Sequence, residues 1–354
     1  MDEWKKILGQ SMADGPSLEK KLGAAPPGLG RVISAYPMRI NPYYFGLIDL
    51  ENWKTDPIAR QCLPDIREIS LKGGEKDPLG EERRKPVPSV IHKYRRVALL
   101  TVSNVCAVYC RFCMRKRRVG MGEGGVSPHD IDLGLDYIKK KPEIREVILS
   151  GGDPLLLDDE QIDRILSRLK KISHVEIIRI GSRTPATLPQ RITPDLCAIL
   201  RRFHPIFFSA HFNHPAELTP ESREACARIA DAGIPIGNQT VLLKGVNDDP
   251  GVMARLFFGL LKQRVRPYYL FQADCVKGIE HLRTRVETGV EIMARLTREL
   301  SGLAIPRYVA DSPGGHGKLP LSPQCLVRAD EKEAEMVDLN GKPVIYPQPG
   351  AEQP

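Results

Sequence analysis

No run of apolar residues in the chain approaches the roughly 20 that a membrane-spanning helix needs. The opening Met1-Asp2-Glu3-Trp4-Lys5-Lys6 has no apolar stretch of the signal-peptide kind. Both absences lead us to expect a cytoplasmic protein with no membrane partner. Cysteine is thinly spread outside one short stretch: Cys62, Cys197, Cys226, Cys275 and Cys325 stand far apart. That is not the disulfide framework of a small secreted domain, and it points to a reducing compartment. The chain shows no internal repeat. Its net charge of +8 raises nucleic acid as a partner, but no aromatic-rich RNA-binding signature or helix-turn-helix pattern accompanies the basic run Arg115-Lys116-Arg117-Arg118. Such a run is ordinarily a solvated face, and an anionic small molecule fits it equally well. With 42% hydrophobic and 27% charged residues, the composition excludes widespread disorder.

What the chain does have is Cys106-Ala107-Val108-Tyr109-Cys110-Arg111-Phe112-Cys113, directly after the apolar run 97–102. An electron-carrying [4Fe-4S] centre normally takes four cysteine thiolates, so three with no fourth nearby leave one iron for something other than the protein. A zinc knuckle would want a fourth Cys or His at fixed spacing, and buried apolar cysteines would not explain all three positions at a strand end. The CxxxCxxC spacing resembles that of radical S-adenosylmethionine (SAM) enzymes. In that family SAM chelates the open iron and is cleaved to a 5′-deoxyadenosyl radical by an electron from the cluster.

From residue 97 onward, apolar runs alternate with helical patterns, the rhythm of βα units around a parallel sheet. The expected strands are 97–102, 147–149, 175–180, 206–209, 234–237, 267–271 and 308–310. Ile162, Ile165, Leu166 and Leu169 make an amphipathic stripe, as do Val286, Val290, Met293 and Leu300. Strand after strand ends in a polar or glycine-rich motif: the cysteine triplet, Ser150-Gly151-Gly152-Asp153, Gly181-Ser182-Arg183, His211-Phe212-Asn213-His214, Asn238-Gln239, Gln272-Ala273-Asp274 and finally Asp311. In (β/α) barrels the carboxyl ends of the strands share one mouth, so these motifs should form a single site. The expected class is α/β, a partial (β/α) barrel. A helical, loop-rich extension occupies 1–95, the barrel 96–325, and a partly disordered C-terminal extension 326–354, with 346–354 as its tail.

Asp311-Ser312-Pro313-Gly314-Gly315-His316-Gly317-Lys318 puts a lysine at the end of a glycine-rich loop. It fails as a nucleotide P-loop, which needs glycine at Ser312 and Ser or Thr at Leu319. A lysine among glycines suits a Schiff base with an aldehyde cofactor. Ser150 to Asp153 suits the ammonium group of SAM, glycines admitting the backbone and a carboxylate facing the charge; the plainer reading is a tight strand-to-helix turn.

Tyr43-Tyr44, Leu47-Ile48-Asp49, Asp56-Pro57, Gln61 and Asp77-Pro78-Leu79 resemble segments of the lysine 2,3-aminomutases. So do the strand-end motifs above and Arg264-Val265-Arg266-Pro267-Tyr268-Tyr269 and His281-Leu282-Arg283-Thr284, a resemblance covering roughly residues 40–325. It implies a radical SAM partial barrel with a [4Fe-4S] cluster on Cys106, Cys110 and Cys113, SAM, and pyridoxal 5′-phosphate (PLP) on Lys318. It also implies migration of the substrate nitrogen from Cα to Cβ, and an electron donor such as ferredoxin or flavodoxin. Asp274 and Asp311 match positions that grip a substrate ε-ammonium. Arg115 matches the one that takes the α-carboxylate, a task its two-pronged guanidinium suits.

Two acids favour a cationic side chain over glutamate, so free L-lysine is the expected substrate, with a lysine of elongation factor P as runner-up. A different class, an iron–sulfur RNA-modifying protein using Arg115 to Arg118, predicts RNA retention without PLP, and a plain cluster carrier predicts a fourth protein ligand. The chain also departs from the family. It lacks the C-terminal cysteines that bind structural zinc in the longer members, and Asp249 stands where the partner cysteine would be, so no zinc is expected. His316 replaces a glycine and Phe112 a histidine. These departures leave the oligomeric state open.

Overall fold

The structure is a computed structural model that describes residues 2–120, 126–322, 325–330 and 332–348. Its centre is a nine-stranded sheet in strict sequence order, from β1 (Val90–Tyr94) and β2 (Val97–Ser103) to β8 (Arg307–Asp311) and β9 (Lys318–Pro320). Between them lie β3 (Glu146–Gly151), β4 (Ile177–Gly181), β5 (Ile206–Ala210), β6 (Ile236–Leu242) and β7 (Arg266–Gln272). Strands β2 to β8 pair parallel, each with the next, while β1 and β9 add antiparallel edges. Among the described residues the two ends do not pair, so the barrel is partial.

The intervening helices form because their apolar positions recur on one face and their first turns are capped. Asp159–Lys170 buries Ile162, Ile165, Leu166 and Leu169, the predicted stripe. Ser127 accepts from Asp130 N in front of the helix Pro128–Lys139, and Thr193 and Thr219 cap the helices that follow β4 and β5. Asp249 accepts from Val252 N at 2.8 Å and caps Pro250–Lys262, which gives this position a structural task of its own.

The extension 1–95 is more than a lead-in. Leu18, Leu29, Met38, Ile40, Tyr44, Ile58 and Cys62 make a second core, and Val108 of the cysteine loop is part of it. Backbone bonds complete the join: Tyr109 N donates to Arg39 O at 2.9 Å and Arg111 N to Gln61 O at 2.8 Å. Glu68, fully buried, accepts from both Arg111 and Lys116, the latter at 2.5 Å. Burying three charges is tolerable only because each is paired.

At the other end, the extension expected to be partly disordered carries a three-stranded antiparallel sheet, β10 (Leu326–Ala329), β11 (Glu333–Val337) and β12 (Pro343–Pro347). Tyr346 and Pro347 of the expected tail therefore belong to a strand, and residues 349–354 lie outside the described residues. No described helix is long and apolar enough to cross a membrane.

Candidate active site

The carboxyl ends of the parallel strands bring most of the predicted residues to one mouth. The cysteine loop follows β2 and is stitched to the end of β3, where Gly152 N donates to Ser103 O at 2.6 Å and Asp153 N to Val105 O at 2.8 Å. Gly151 has φ +136°, and a Cβ there would come within 2.1 Å of Ser103 O; one on Gly152 would come within 2.4 Å of Val105 O. Glycine is needed here because two backbones touch. A small recess between Thr101, Asn104, Arg115, Gly151 and Gly152 opens beside this contact.

Burial raises the Cys106 thiol well above its ordinary value, and Asp153 and the thiols of Cys113 and Cys110 push it the same way. Burial, then Cys110, raises Cys113 to about 11. The three sulfurs therefore share one neighbourhood. Among the described residues no three His, Cys, Asp or Glu side chains converge closely enough to grip a single metal ion. Three thiols in one neighbourhood are the donor set that a multi-iron cluster takes, each cysteine ligand sitting on a separate iron. Donors already face the sulfurs: Arg115 N reaches Cys113 Sγ at 3.3 Å and Arg183 Nη1 reaches Cys110 Sγ at 2.7 Å.

Asp153 is placed differently from expectation. It is buried, and its carboxylate accepts from Ser182 Oγ at 2.7 and 2.9 Å, Leu155 N at 3.0 Å and Arg183 N at 2.9 Å. Its oxygens are committed to tying β3 to β4 and do not face an incoming ammonium. Asn238 and Gln239 also differ from expectation, because β6 continues to Leu242 and they lie inside the strand. Asn238 there accepts from Phe212 N at 2.8 Å and donates to Phe212 O at 3.0 Å.

Arg115 joins two sides of the mouth. Its Nη2 lies 2.7 Å from Glu81 Oε1, and its Nη1 donates to Ser150 Oγ at 3.1 Å and Gly151 O at 3.4 Å. Arg115 and Arg117 hold the Glu81 carboxyl down at about 2, against its burial. The basic run is therefore not a solvated face. Arg115 and Arg117 pair with Glu81, Lys116 with Glu68, and Arg117 also with Asp77 and Glu82. Little free charge remains there to meet a phosphate backbone.

Lys318, first residue of β9, donates to Asp311 Oδ2 at 2.6 Å, with its ammonium 4.6 Å from the centre of the Phe271 ring and 5.8 Å from that of Tyr269. Its loop turns back through Gly314 and Gly315, both at positive φ, and a Cβ on Gly315 would come within 2.1 Å of Leu79 O. Gly314 N donates to Pro78 O at 2.7 Å, so this loop rests on the extension. Burial and the neighbouring Asp311 raise Asp274 to about 7, while Lys318 and Lys93 pull it back. A reachable amine beside aromatic rings is compatible with an aldehyde cofactor with a flat ring.

Two residues of this site were absent from the expectations. Lys93 on β1 lies 3.4 Å from Asp311 Oδ1, and Glu81 lies in a charge-rich segment. A lysine within the strand pattern of residues 90–94 is a faint signal for the first; the sequence has none for the second.

Residues 100–257 match the model of the Radical SAM superfamily, and residues 293–354 match the model described as Lysine-2,3-aminomutase. An L-lysine 2,3-aminomutase of Fusobacterium nucleatum is 46% identical over 323 residues, covering 91% of this chain and 76% of that protein. One of Methanococcus maripaludis is 47% identical over 332 residues, covering 92% and 77%. A glutamate 2,3-aminomutase of Clostridioides difficile is 46% identical over 288 residues, covering 81% and 68%.

Proposed function

Since this chain belongs to the lysine 2,3-aminomutase family of radical SAM enzymes, and is thus an isomerase, we propose that it converts free L-lysine to β-lysine with PLP on Lys318. The observation that carries the substrate is the pair of acids: Asp274 and Asp311 lie within electrostatic reach of each other and of Lys318. A glutamate side chain would bring a third carboxylate into that cluster.

With a [4Fe-4S] cluster and SAM bound, the site would have the electron and the radical chemistry that removal of a substrate hydrogen needs. PLP, when bound, supplies an aldehyde that takes up the substrate amine and a conjugated ring that spreads unpaired spin. The chain's own residues hold and select. Cys106, Cys110 and Cys113 hold the cluster. Gly151 and Gly152 let the end of β3 close against the cysteine loop, and Asp153 locks that strand end to β4. Arg115 would meet a carboxylate through N–H groups that Ser150, Gly151 and Glu81 now engage, with Glu81 keeping the guanidinium in place until substrate shares it. Asp274, near neutrality, releases a proton from its carboxyl as an ε-ammonium arrives. A small electron carrier such as ferredoxin or flavodoxin delivers the electron.

Anaerobic protein with iron and sulfide restored, SAM, PLP and a reductant should form β-lysine from L-lysine. Preferential turnover of L-glutamate in the same assay would overturn the substrate assignment.

A further inference from the structure

Arg183 is a buried guanidinium with an unusual set of neighbours. Its Nη1 points at Cys110 Sγ, 2.7 Å away. Its Nη2 donates to Gln61 Oε1 at 2.6 Å, Glu217 Oε1 at 2.7 Å and Tyr44 Oη at 2.9 Å. Glu217 is itself immobilised: Tyr44 Oη donates to Oε1 at 2.8 Å, and Asn213 N and His214 N reach Oε2 at 2.5 and 2.9 Å. Gln61 also accepts from Asn213 Nδ2 at 3.0 Å. The guanidinium lies 5.1 Å from the ring centre of Phe112 and 5.4 Å from that of Tyr44. Tyr44 and Gln61 belong to the N-terminal extension, Glu217 follows β5, and Arg183 follows β4.

Two physical facts follow. Arginine stays charged at any accessible pH, so a permanent positive charge is fixed against one of the three sulfurs. The second half of the fork shares its two N–H groups among three acceptors, which holds that charge in place. Hydrogen bonds to cluster sulfurs and the net charge around them are among the levers that set a cluster's reduction potential. The Cys106 and Cys113 sulfurs have no comparable side-chain cation bonded to them among the described contacts.

We propose that Arg183 raises the reduction potential of the cluster through Cys110, and that Tyr44 and Gln61 are positioning residues by which the N-terminal extension holds it there. The inference rests on reading the three cysteines as cluster ligands. The step it affects is the uptake of one electron from the external reductant by the oxidised cluster; no proton or group is transferred. A cation facing Cys110 stabilises the added negative charge, making SAM-independent reduction easier.

The test is a redox titration followed by electron paramagnetic resonance on the full chain with its cluster restored and without SAM. Iron and sulfide content are measured in parallel. Arg183→Gln should shift the midpoint to a more negative potential, Arg183→Lys by less, and Tyr44→Phe and Gln61→Leu in the same direction while iron content stays at the parent level. If Arg183→Gln fails to hold iron because Glu217 is left unpaired, Tyr44→Phe and Gln61→Leu decide. Parent-like potentials in those variants would overturn the proposal, and parent-like potentials with weakened SAM binding would assign Arg183 to SAM instead. Failure of the parent chain itself to bind four irons would overturn the cluster reading beneath it.

Discussion

Asp311 and Lys318 are register partners across the β8–β9 ladder, and Lys318 Nζ donates to Asp311 Oδ2 at 2.6 Å. The turn between them is closed by Ser312 N donating to Gly317 O at 2.9 Å. The amine read as the PLP anchor and an acid read as the substrate clamp thus sit on one hairpin. Covalent use of the amine removes the cation that Asp311 now holds. With PLP on Lys318 as proposed, loading the cofactor would also free the acid for a substrate ammonium.

Lys318→Ala should abolish nearly all turnover while leaving iron content unchanged, because the described contacts of Lys318 are with Asp311, Phe271 and Tyr269 and not with the cysteine loop. Borohydride reduction followed by peptide mass mapping should find a pyridoxyl group on Lys318 of the parent and nowhere in the variant. A label on another lysine would move the anchor.

Replacing any one of Cys106, Cys110 or Cys113 by Ala should abolish SAM cleavage, since each supplies one of only three thiolates. Release of 5′-deoxyadenosine under reducing conditions is the measurement, and a single variant with parent-level release would refute the cluster assignment.

Glu68→Ala tests how firmly the extension is bound to the cysteine loop. Its carboxylate is fully buried between Arg111 and Lys116, so truncation leaves two buried cations underpaired, at a cost of about 3–5 kcal/mol. Truncation of Glu82, half exposed, should stay within about 0.5 kcal/mol. Denaturant midpoints of the two variants make the comparison.

The seven parallel strands were legible in the sequence because each carries a short apolar run bounded by polar or glycine-rich residues. Residues 175–180 and 234–237 began a few positions early, since Val175 and Ile234 finish loops before the ladder starts. β1, β9 and β10 to β12 were not among the expected strands: β1 lies in the segment read as a helical and loop-rich extension, and β9, β10 and β12 are exposed along their whole length, so no burial pattern marks them. In the site, the cysteines announce themselves by spacing and Lys318 by its glycine-rich loop, whereas Asp274, Asp311 and Arg115 drew their roles from the family resemblance. Asp153 misled, because a carboxylate that seals two strand ends reads the same as one that faces a ligand. Glu81 and Lys93 matter only through partners 34 and 218 residues away, a distance no local pattern spans.

Asp274 should impose a pH dependence. Burial and Asp311 raise it to about 7 from an ordinary 3.8. Between those values the folded chain holds a proton the unfolded chain has released, so this group lowers stability as pH rises from about 4 to 7. Substrate binding runs the other way, because an ε-ammonium needs the carboxylate. With L-lysine, kcat/KM should fall below an acid limb near pH 7 or above, since PLP removes the Lys318 cation that restrains the shift. Asp274→Asn should lower kcat/KM and erase that limb; an unchanged limb would place the titration elsewhere.

Asp311→Asn addresses the substrate itself. With one acid neutralised, a substrate ε-ammonium in a pocket where Asp274 is largely buried is underpaired, costing on the order of 2–5 kcal/mol. Turnover of free L-lysine should then fall about 30-fold or more. The variant also loses the acceptor that Lys318 now faces, so pyridoxyl labelling of Lys318 must be measured alongside to separate cofactor loading from substrate grip. With labelling retained, a loss confined to KM for L-lysine locates Asp311 at the ammonium. The parent chain should be offered L-lysine, L-glutamate and lysine-bearing elongation factor P in parallel. A lysine on a folded partner gains contacts outside the pocket, so Asp311→Asn would harm it less. Turnover of the protein but not of free lysine would reassign the substrate and leave the isomerase chemistry standing.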